Sequence, residues 1–553
     1  MQINLKKYLF VLIFLVSTLS SYVLGDLFYT ATSGPDYYRY SKYFQYFFGN
    51  VESTNLEQGL IYYFLNAYSL SIKNFNFGDY YFLENVSHSI QNTNFIIYII
   101  FLTGAYKLLK IYRFKDQTTL LVLSTLNFFP PLMAVRLIYK PEILILALFI
   151  WCLVALSLFK ETNNRKFLIY FVCIFTLLST IKATGTVIVF FVLIYIYFDT
   201  IIKFNLKTIS LLSIISVPIL VVLTIENHNA NNLYFIQHQT TSNYLFTADY
   251  SFIYNFNPIL FFEQPLRHSQ NDSLIGILLL ETFDDYFTIY WNNDTSLFYQ
   301  NRVSVIHPYL RQYLSVVMTI LLYFFIFTKS RKFTKYTKLI RSPLIGIAIM
   351  VLICLFIQFD PSTGDMMKNY YYSHLLVVSF MFLAATIYRN LSFVKGFAIF
   401  GIFTILSLFI MGFPKYNSEL FNSKINQNIQ TSSYCKILEG ITDFQTECID
   451  TEEEFCELLI NGQEKVISEN GELTTSIFEL SPNYSFTQNQ SKPYANFDEC
   501  RQLHSDKNNN DNLSLNIKKF PIFNIMFFLF ILVIKADMFF NNFRNKRNIK
   551  NYL

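Results

Sequence analysis

Apolar runs long enough to cross a bilayer core recur along the chain, separated by polar stretches of very unequal length. They fall near 8–24, 94–110, 118–136, 141–159, 167–181, 184–200, 208–225, 312–328, 343–359, 373–388, 396–412 and 520–536, which predicts about twelve spans. The runs within 118–159 and within 167–200 read as tight hairpins, with turns holding "RLIYKPE" and "STIKATG". The predicted fold class is an all-α polytopic membrane protein with extracytoplasmic loops and a small C-terminal outer segment.

Composition agrees with the pattern. A chain that is 53% hydrophobic and 15% charged has too little polar surface to cover a soluble interior of 553 residues. The basic residues then orient the spans. With Lys6 and Lys7 inside, "YKLLKIYRFK", "KETNNRK", "KSRKFTKYTKLIR" and the tail "RNKRNIK" all become cytoplasmic, as the preference of Lys and Arg for cytoplasmic loops requires. The other loops lie outside: a first loop 25–93, a long loop 226–311, a short loop 360–372 and a soluble segment 413–519. Three regions follow: 1–412, the outer segment 413–519, and a last helix with a basic tail at 520–553. The first apolar run could also serve as a signal peptide, but no small-x-small cleavage site is evident at "SSYVLGD".

Seven cysteines divide between two settings. Cys152, Cys173 and Cys354 fall inside apolar runs and read as small core residues. Cys435, Cys448, Cys456 and Cys500 fall in the outer segment, where an oxidising compartment favours two disulfides among three connectivities. A metal site is the competing reading, but no CxxC spacing supports it. Walker loops, dinucleotide-binding glycine patterns and HExxH are absent from the sequence, and nothing in it points to nucleic acid.

The remaining chemistry is polar side chains at the outer membrane edge, where a charge is costly and marks a functional candidate. The first loop offers Asp36, in "SGPDYYRYSKYFQYFFGN", and Glu57; the hairpin turns offer Arg136, Lys140, Glu142 and Lys182. The long loop offers His268, Asp284 and Asp285, and the short loop Lys368 and Tyr370. Tyr40, Tyr43, Phe44 and Phe47 share one helical face, which predicts an interfacial aromatic belt with Asp36 at the start of its helix. Structural roles compete throughout. Asp36 and Glu57 suit turn or helix-start acids, Arg136 and Lys140 suit snorkelling from span ends, and Asp284 and Asp285 suit a solvated face.

In the order of these parts the chain resembles the GT-C superfamily of integral-membrane glycosyltransferases. The likeness rests on one span, a large outer loop opening on an acid in a D-x-x-x-Y setting, hairpins with Pro and basic residues at the outer edge, and a late K-x-x-Y. The branch it resembles contains bacterial protein mannosyltransferases and lipid A aminoarabinose transferase, and the likeness covers residues 1–412. It implies transfer of a sugar from a polyprenyl-phosphate donor to a lipid, glycan or protein acceptor at the outer face of a bacterial inner membrane. Under it, Asp36 is the general base; Lys368 with Arg136 or Lys182 holds the lipid phosphate; Asp284 or Asp285 positions the acceptor. Lys140, Glu57, His268, Tyr40 and Tyr370 complete the expected substrate-binding set. No cofactor is implied for certain; the chain lacks the adjacent acidic pair many mannosyltransferases carry, which leaves dependence on a divalent metal open. An O-antigen polymerase or ligase is the first competing function, and a transporter or flippase the second. The latter predicts charges buried mid-span and similarity between two halves, neither of which the sequence shows.

Overall fold

The computed structural model describes residues 2–28, 37–48, 58–72, 82–202, 206–232, 250–263, 273–283, 308–329, 336–356 and 371–411. It also describes single positions 31, 53, 54 and 56 and strand residues 302–303, 415–416, 434–437, 446–449, 463–467, 473–476 and 486–487. Helices dominate. In chain order they are α1 (Gln2–Phe28), α2 (Tyr37–Phe48), α3 (Leu60–Ile72), α4 (Phe82–Ile111), α5 (Asp116–Leu126), α6 (Pro130–Leu137), α7 (Glu142–Thr162), α8 (Arg165–Ser179) and α9 (Ala183–Ile201). There follow α10 (Leu206–Asn231), α11 (Pro258–Glu263), α12 (Leu274–Glu281), α13 (Pro308–Lys329), α14 (Thr337–Ile340), α15 (Ser342–Phe356), α16 (Ser373–Arg389) and α17 (Phe393–Met411).

Seven of the described helices are long and apolar enough to cross a membrane, or eight when one bent pair of helices is counted as a single span. Three of the predicted spans are instead α8, α15 and α16, of 15, 15 and 17 residues. At 1.5 Å per residue they reach about 22–26 Å, short of a ~30 Å hydrocarbon core. The run 520–536 lies outside the described residues.

The run 118–136, expected as one span, is broken: α5 and α6 meet at 59°. Pro130 and Pro131 cause the break, because neither can donate a backbone hydrogen bond into a continuing helix. Backbone groups freed inside a membrane need partners, and Asn127 organises them. Its side-chain amide donates to Ser17 Oγ at 2.8 Å and Thr18 Oγ1 at 3.0 Å, its Oδ1 accepts from Tyr98 at 2.5 Å, and its carbonyl accepts from Ser21 at 2.7 Å. Hydroxyls of α1 thereby satisfy the bend.

Helix α7 is central: apart from Trp151, its residues from Glu142 to Ser157 are buried, packed by α4, α8, α9 and α16. Asn163, in the left-handed region at φ 50°, closes it and turns the chain directly into α8. Helices α1 and α10 are peripheral, with Leu12, Leu15 and Leu19 on one and Ile214, Val217 and Val221 on the other exposed. Such apolar outer faces suit lipid rather than water.

The turns sort onto two faces. On one, Tyr112 and Phe114 pack with Tyr336 and Phe382, and Lys338 lies 3.8 Å from Asp199. Lys110, Arg113, Arg165, Arg341 and Arg389 lie at the helix ends on this face. On the other, the first loop meets the α8–α9 turn and the end of α10, and strand β1 (Arg302–Val303) of the long loop pairs antiparallel with β2 (Lys415–Tyr416). The described parts of the first loop, the long loop and the start of segment 413–519 therefore share one face. Beyond β2 the described strands of segment 413–519 are β3 (Tyr434–Ile437), β4 (Thr446–Ile449), β5 (Gln463–Ile467), β6 (Leu473–Ser476) and β7 (Phe486–Thr487), ordered β4-β3-β7 and β5-β6.

Candidate functional site

The described parts of the first loop are folded into the protein. Helix α2 forms where the aromatic periodicity predicts it, but Tyr40, Tyr43, Phe44 and Phe47 are all buried, at 4%, 0%, 1% and 0% exposure. The expected membrane-facing belt is thus a protein-facing stack, because α3, a buried apolar helix not predicted from the sequence, lies beneath it. Tyr43 stacks on Tyr63 of α3 at 3.9 Å and 9°, and Phe44 stacks on Tyr139 at 4.9 Å and 8°. Burial pushes the Tyr46 phenol above its ordinary value, and the charge of Glu226 adds to it.

Thr54, Gln58 and Gly59 then strap the end of α10 to the turn before α9. Thr54 N donates to Ala230 O at 2.7 Å, Gly59 N donates to Ile181 O at 2.8 Å, and Asn231 Nδ2 donates to Gln58 O at 3.0 Å. The Tyr43 hydroxyl donates to the Gln58 carbonyl at 2.7 Å and accepts from its N–H at 3.0 Å, and Gln58 Nε2 reaches Tyr40 Oη at 3.4 Å. Gly59 is the tight point: a Cβ there would lie 1.7 Å from the Thr180 carbonyl oxygen. That oxygen is backbone and cannot step aside, so Gly59→Ala is expected to detach the strap from the Lys182 turn. Limited proteolysis of the first loop should accelerate at least several-fold and the melting temperature should fall; an unchanged digestion pattern would count against the strap.

The strap is bonded to Ile181, the residue before Lys182, which belongs to the charged centre of this face. Glu142 occupies the first turn of α7, where a carboxylate is favoured by the helix dipole, and Lys182 immediately precedes α9. Their side chains are 3% and 8% exposed and meet with Lys182 Nζ 2.5 Å from Glu142 Oε1. Lys182 Nζ also sits 4.5 Å above the ring of Tyr371. Glu142 Oε2 is buried without a hydrogen-bond partner. Lys140, two residues before Glu142, is buried as well, as is the intervening turn. A buried, charged pair at the membrane edge is the arrangement that carries functional weight in an apolar bundle.

Arg136 is placed differently. It is buried, donates from Nη2 to Ser21 O at 2.8 Å and to Ser21 Oγ at 3.0 Å, and lies 5.4 Å from the Tyr98 ring centre. Asn94 Nδ2 donates to the carbonyls of Arg136 and Ile138, each at 2.8 Å, fixing the turn. The guanidinium thus ties α6 to α1, while Lys182 and Tyr40 belong to the strap region. Asp36, Glu57, His268, Asp284, Asp285, Lys368 and Tyr370 lie outside the described residues. So do Cys456 and Cys500, whereas Cys435 and Cys448 fall within β3 and β4.

Three buried charges are not among the sequence candidates: Glu226 near the end of α10, and one residue each on α12 and α13. Glu281 ends α12 and Arg311 lies in the first turn of α13, at 2% and 0% exposure. Arg311 Nη1 donates to Met411 O at 3.3 Å, and the neighbouring Gln312 Nε2 donates to Leu280 O at 3.0 Å. Glu281 and Arg311 each stand at the edge of an apolar run, in "LIGILLLE" and "YLRQYLSVV", which was the available signal. Among the described residues no three His, Cys, Asp or Glu side chains gather as a metal site.

No family model and no curated protein matches this chain. A solved structure, the crystal structure of ArnT from Cupriavidus metallidurans bound to undecaprenyl phosphate, is similar to 71% of this chain at 14% sequence identity and a TM-score of 0.41. The chain spans 62% of the length of that structure's chain.

Proposed function

We propose that this protein is a membrane glycosyltransferase of the GT-C type that moves a sugar from a polyprenyl-phosphate donor to a lipid, glycan or protein acceptor. The observation that carries the reading is the buried Lys182–Glu142 pair beside Tyr371, at a turn to which a strap of the first loop is bonded. A polyprenyl-linked sugar phosphate keeps its tail in hydrocarbon and its anomeric carbon at the water boundary. A cation at the ends of membrane helices, beside a folded outer loop, meets both requirements.

The leaving group is a phosphate, so the protein must hold negative charge and remove one proton. Lys182, with Lys368 from the short loop that leads into Tyr371, takes the phosphate oxygens. Glu142 keeps Lys182 charged and oriented before the donor arrives. Asp36, one residue before α2, takes the proton from the acceptor hydroxyl or amine, and one displacement inverts the anomeric carbon. Lys140 and Glu57 border the phosphate and sugar, and Tyr40, through Gln58, sets the strap. Asp284 and Asp285, three and four residues beyond the buried Glu281, lie on the acceptor side. Basic residues at the opposite helix ends support a cytoplasmic assignment for that face, with both termini there and the site on the outer side of a bacterial inner membrane.

Undecaprenyl phosphate, lacking the sugar, tests the phosphate site directly. At about 100 times its Kd it should stabilise the purified protein by about 2.7 kcal/mol, read as a rise in melting temperature. Lys368→Ala, and Lys182→Met made together with Glu142→Leu, should each abolish most of that rise while retaining their own cooperative unfolding. A full shift in both variants would remove the phosphate assignment.

A further inference from the structure

Among the described strands of the outer segment, two cysteines stand in direct register. Strand β3 pairs antiparallel with β4, and Cys435 stands opposite Cys448, flanked by Tyr434 opposite Ile449 and Lys436 opposite Glu447. On its other side β3 pairs with β7, where Cys435 stands opposite Thr487. The central strand of this three-stranded sheet therefore has a second cysteine at the matching position on one neighbour only.

We propose that Cys435 and Cys448 form a disulfide that closes the β3–β4 hairpin across the connection 438–445. Directly opposed residues in an antiparallel ladder share a face, with Cα atoms about 4.5–5.5 Å apart depending on the kind of pair. That range lies within the roughly 4.4–6.8 Å a disulfide spans. The strands are only four residues each, shorter than the usual length of about five or six, so a cross-link would add to the few ladder bonds that hold them. The inference rests on the reading that places 413–519 on the outer side, since a disulfide persists only in an oxidising compartment.

The chemistry balances as thiol–disulfide exchange with an extracytoplasmic oxidoreductase that carries a protein disulfide. One cysteine thiolate attacks that disulfide and forms a mixed disulfide; the second thiolate then displaces the carrier. Two protons and two electrons leave the hairpin, and the carrier departs as a dithiol. If all four outer cysteines are oxidised, Cys456 and Cys500 remain for each other.

The pairing is read by blocking free thiols of the full-length protein in its native membranes with N-ethylmaleimide, then digesting without reduction. Cleavage after Lys436, Glu447 and Glu454 puts Cys435, Cys448 and Cys456 on separate peptides, so mass spectrometry can name the partners. The expected result is a linked Cys435–Cys448 peptide pair, lost in Cys435→Ser and Cys448→Ser. Alkylation of both thiols before reduction overturns the proposal, as does linkage of either to Cys456 or Cys500, or stoichiometric zinc on the purified protein. A membrane-impermeant maleimide applied to intact cells after reduction separates the two ways of failing. Free thiols that it labels sink the pairing alone; free thiols that it cannot reach sink the outer placement and the disulfide with it.

Discussion

Replacing Glu142 by Ala is expected to destabilise the protein by about 3–5 kcal/mol, the cost of leaving the ammonium of Lys182 buried without its partner. The carboxylate lies 2.5 Å from Nζ, and neither side chain has the exposure needed for water to take its place. The Tyr371 ring cannot compensate, since a cation–π contact contributes roughly 0.5–2 kcal/mol. Glu142→Leu combined with Lys182→Met should recover most of the loss, because an apolar pair avoids the desolvation cost altogether. The contrast separates stability from function: the double variant is expected to fold and to have lost donor binding. Denaturation in detergent, arranged as a double-mutant cycle, measures the coupling. A coupling below about 0.5 kcal/mol would show that the pair is solvated and that the site is not where we place it.

Asp36→Asn is expected to lower glycan transfer by about 10²–10⁴-fold, the range for loss of a general base, with normal membrane insertion and an unchanged melting temperature. Asn preserves the shape of the side chain and its ability to cap α2, so a structural role would survive the substitution. A catalytic role would not, because the amide cannot accept the acceptor's proton. Donor binding, read with undecaprenyl phosphate, should be unaltered, which places the defect in kcat. Wild-type transfer by this variant would remove Asp36 from the mechanism and direct attention to Glu57.

The membrane architecture was legible because hydrocarbon imposes a simple rule on composition: a crossing needs an unbroken apolar run of sufficient length. The same rule gave the two faces, as the basic turns lie together and the described parts of the segments read as outer loops meet on the other side. It did not register the break within 118–136, since counting apolar residues does not show that Pro130 and Pro131 cannot continue the hydrogen-bond ladder. It also missed α3 within the first loop, because 13 residues are too few to register as a span although their apolar face is buried by neighbours.

Charged candidates were found by type but could not be paired. Arg136 and Lys182 look alike in sequence, each basic and near a hairpin turn, yet one is bonded to α1 and the other to a carboxylate. Forty residues separate Glu142 from Lys182, and only the packing of α7 against α9 makes them partners. The tyrosine face of α2 was read correctly as a face and wrongly as a lipid contact, for periodicity shows that one side is apolar without showing what covers it.

What the sequence alone determined is the class of solvent, the helical class of the bundle, the grouping of the turns and the kinds of residues available for chemistry, all set by local composition and spacing. Tertiary structure decided which of those residues meet: the bend at Asn127, the strap at Gly59, the stack of Tyr43 on Tyr63 and the pairing of Lys182 with Glu142. Each is a contact between segments far apart in the chain. Close packing and the need to satisfy buried polar groups select such contacts only after the helices have come together.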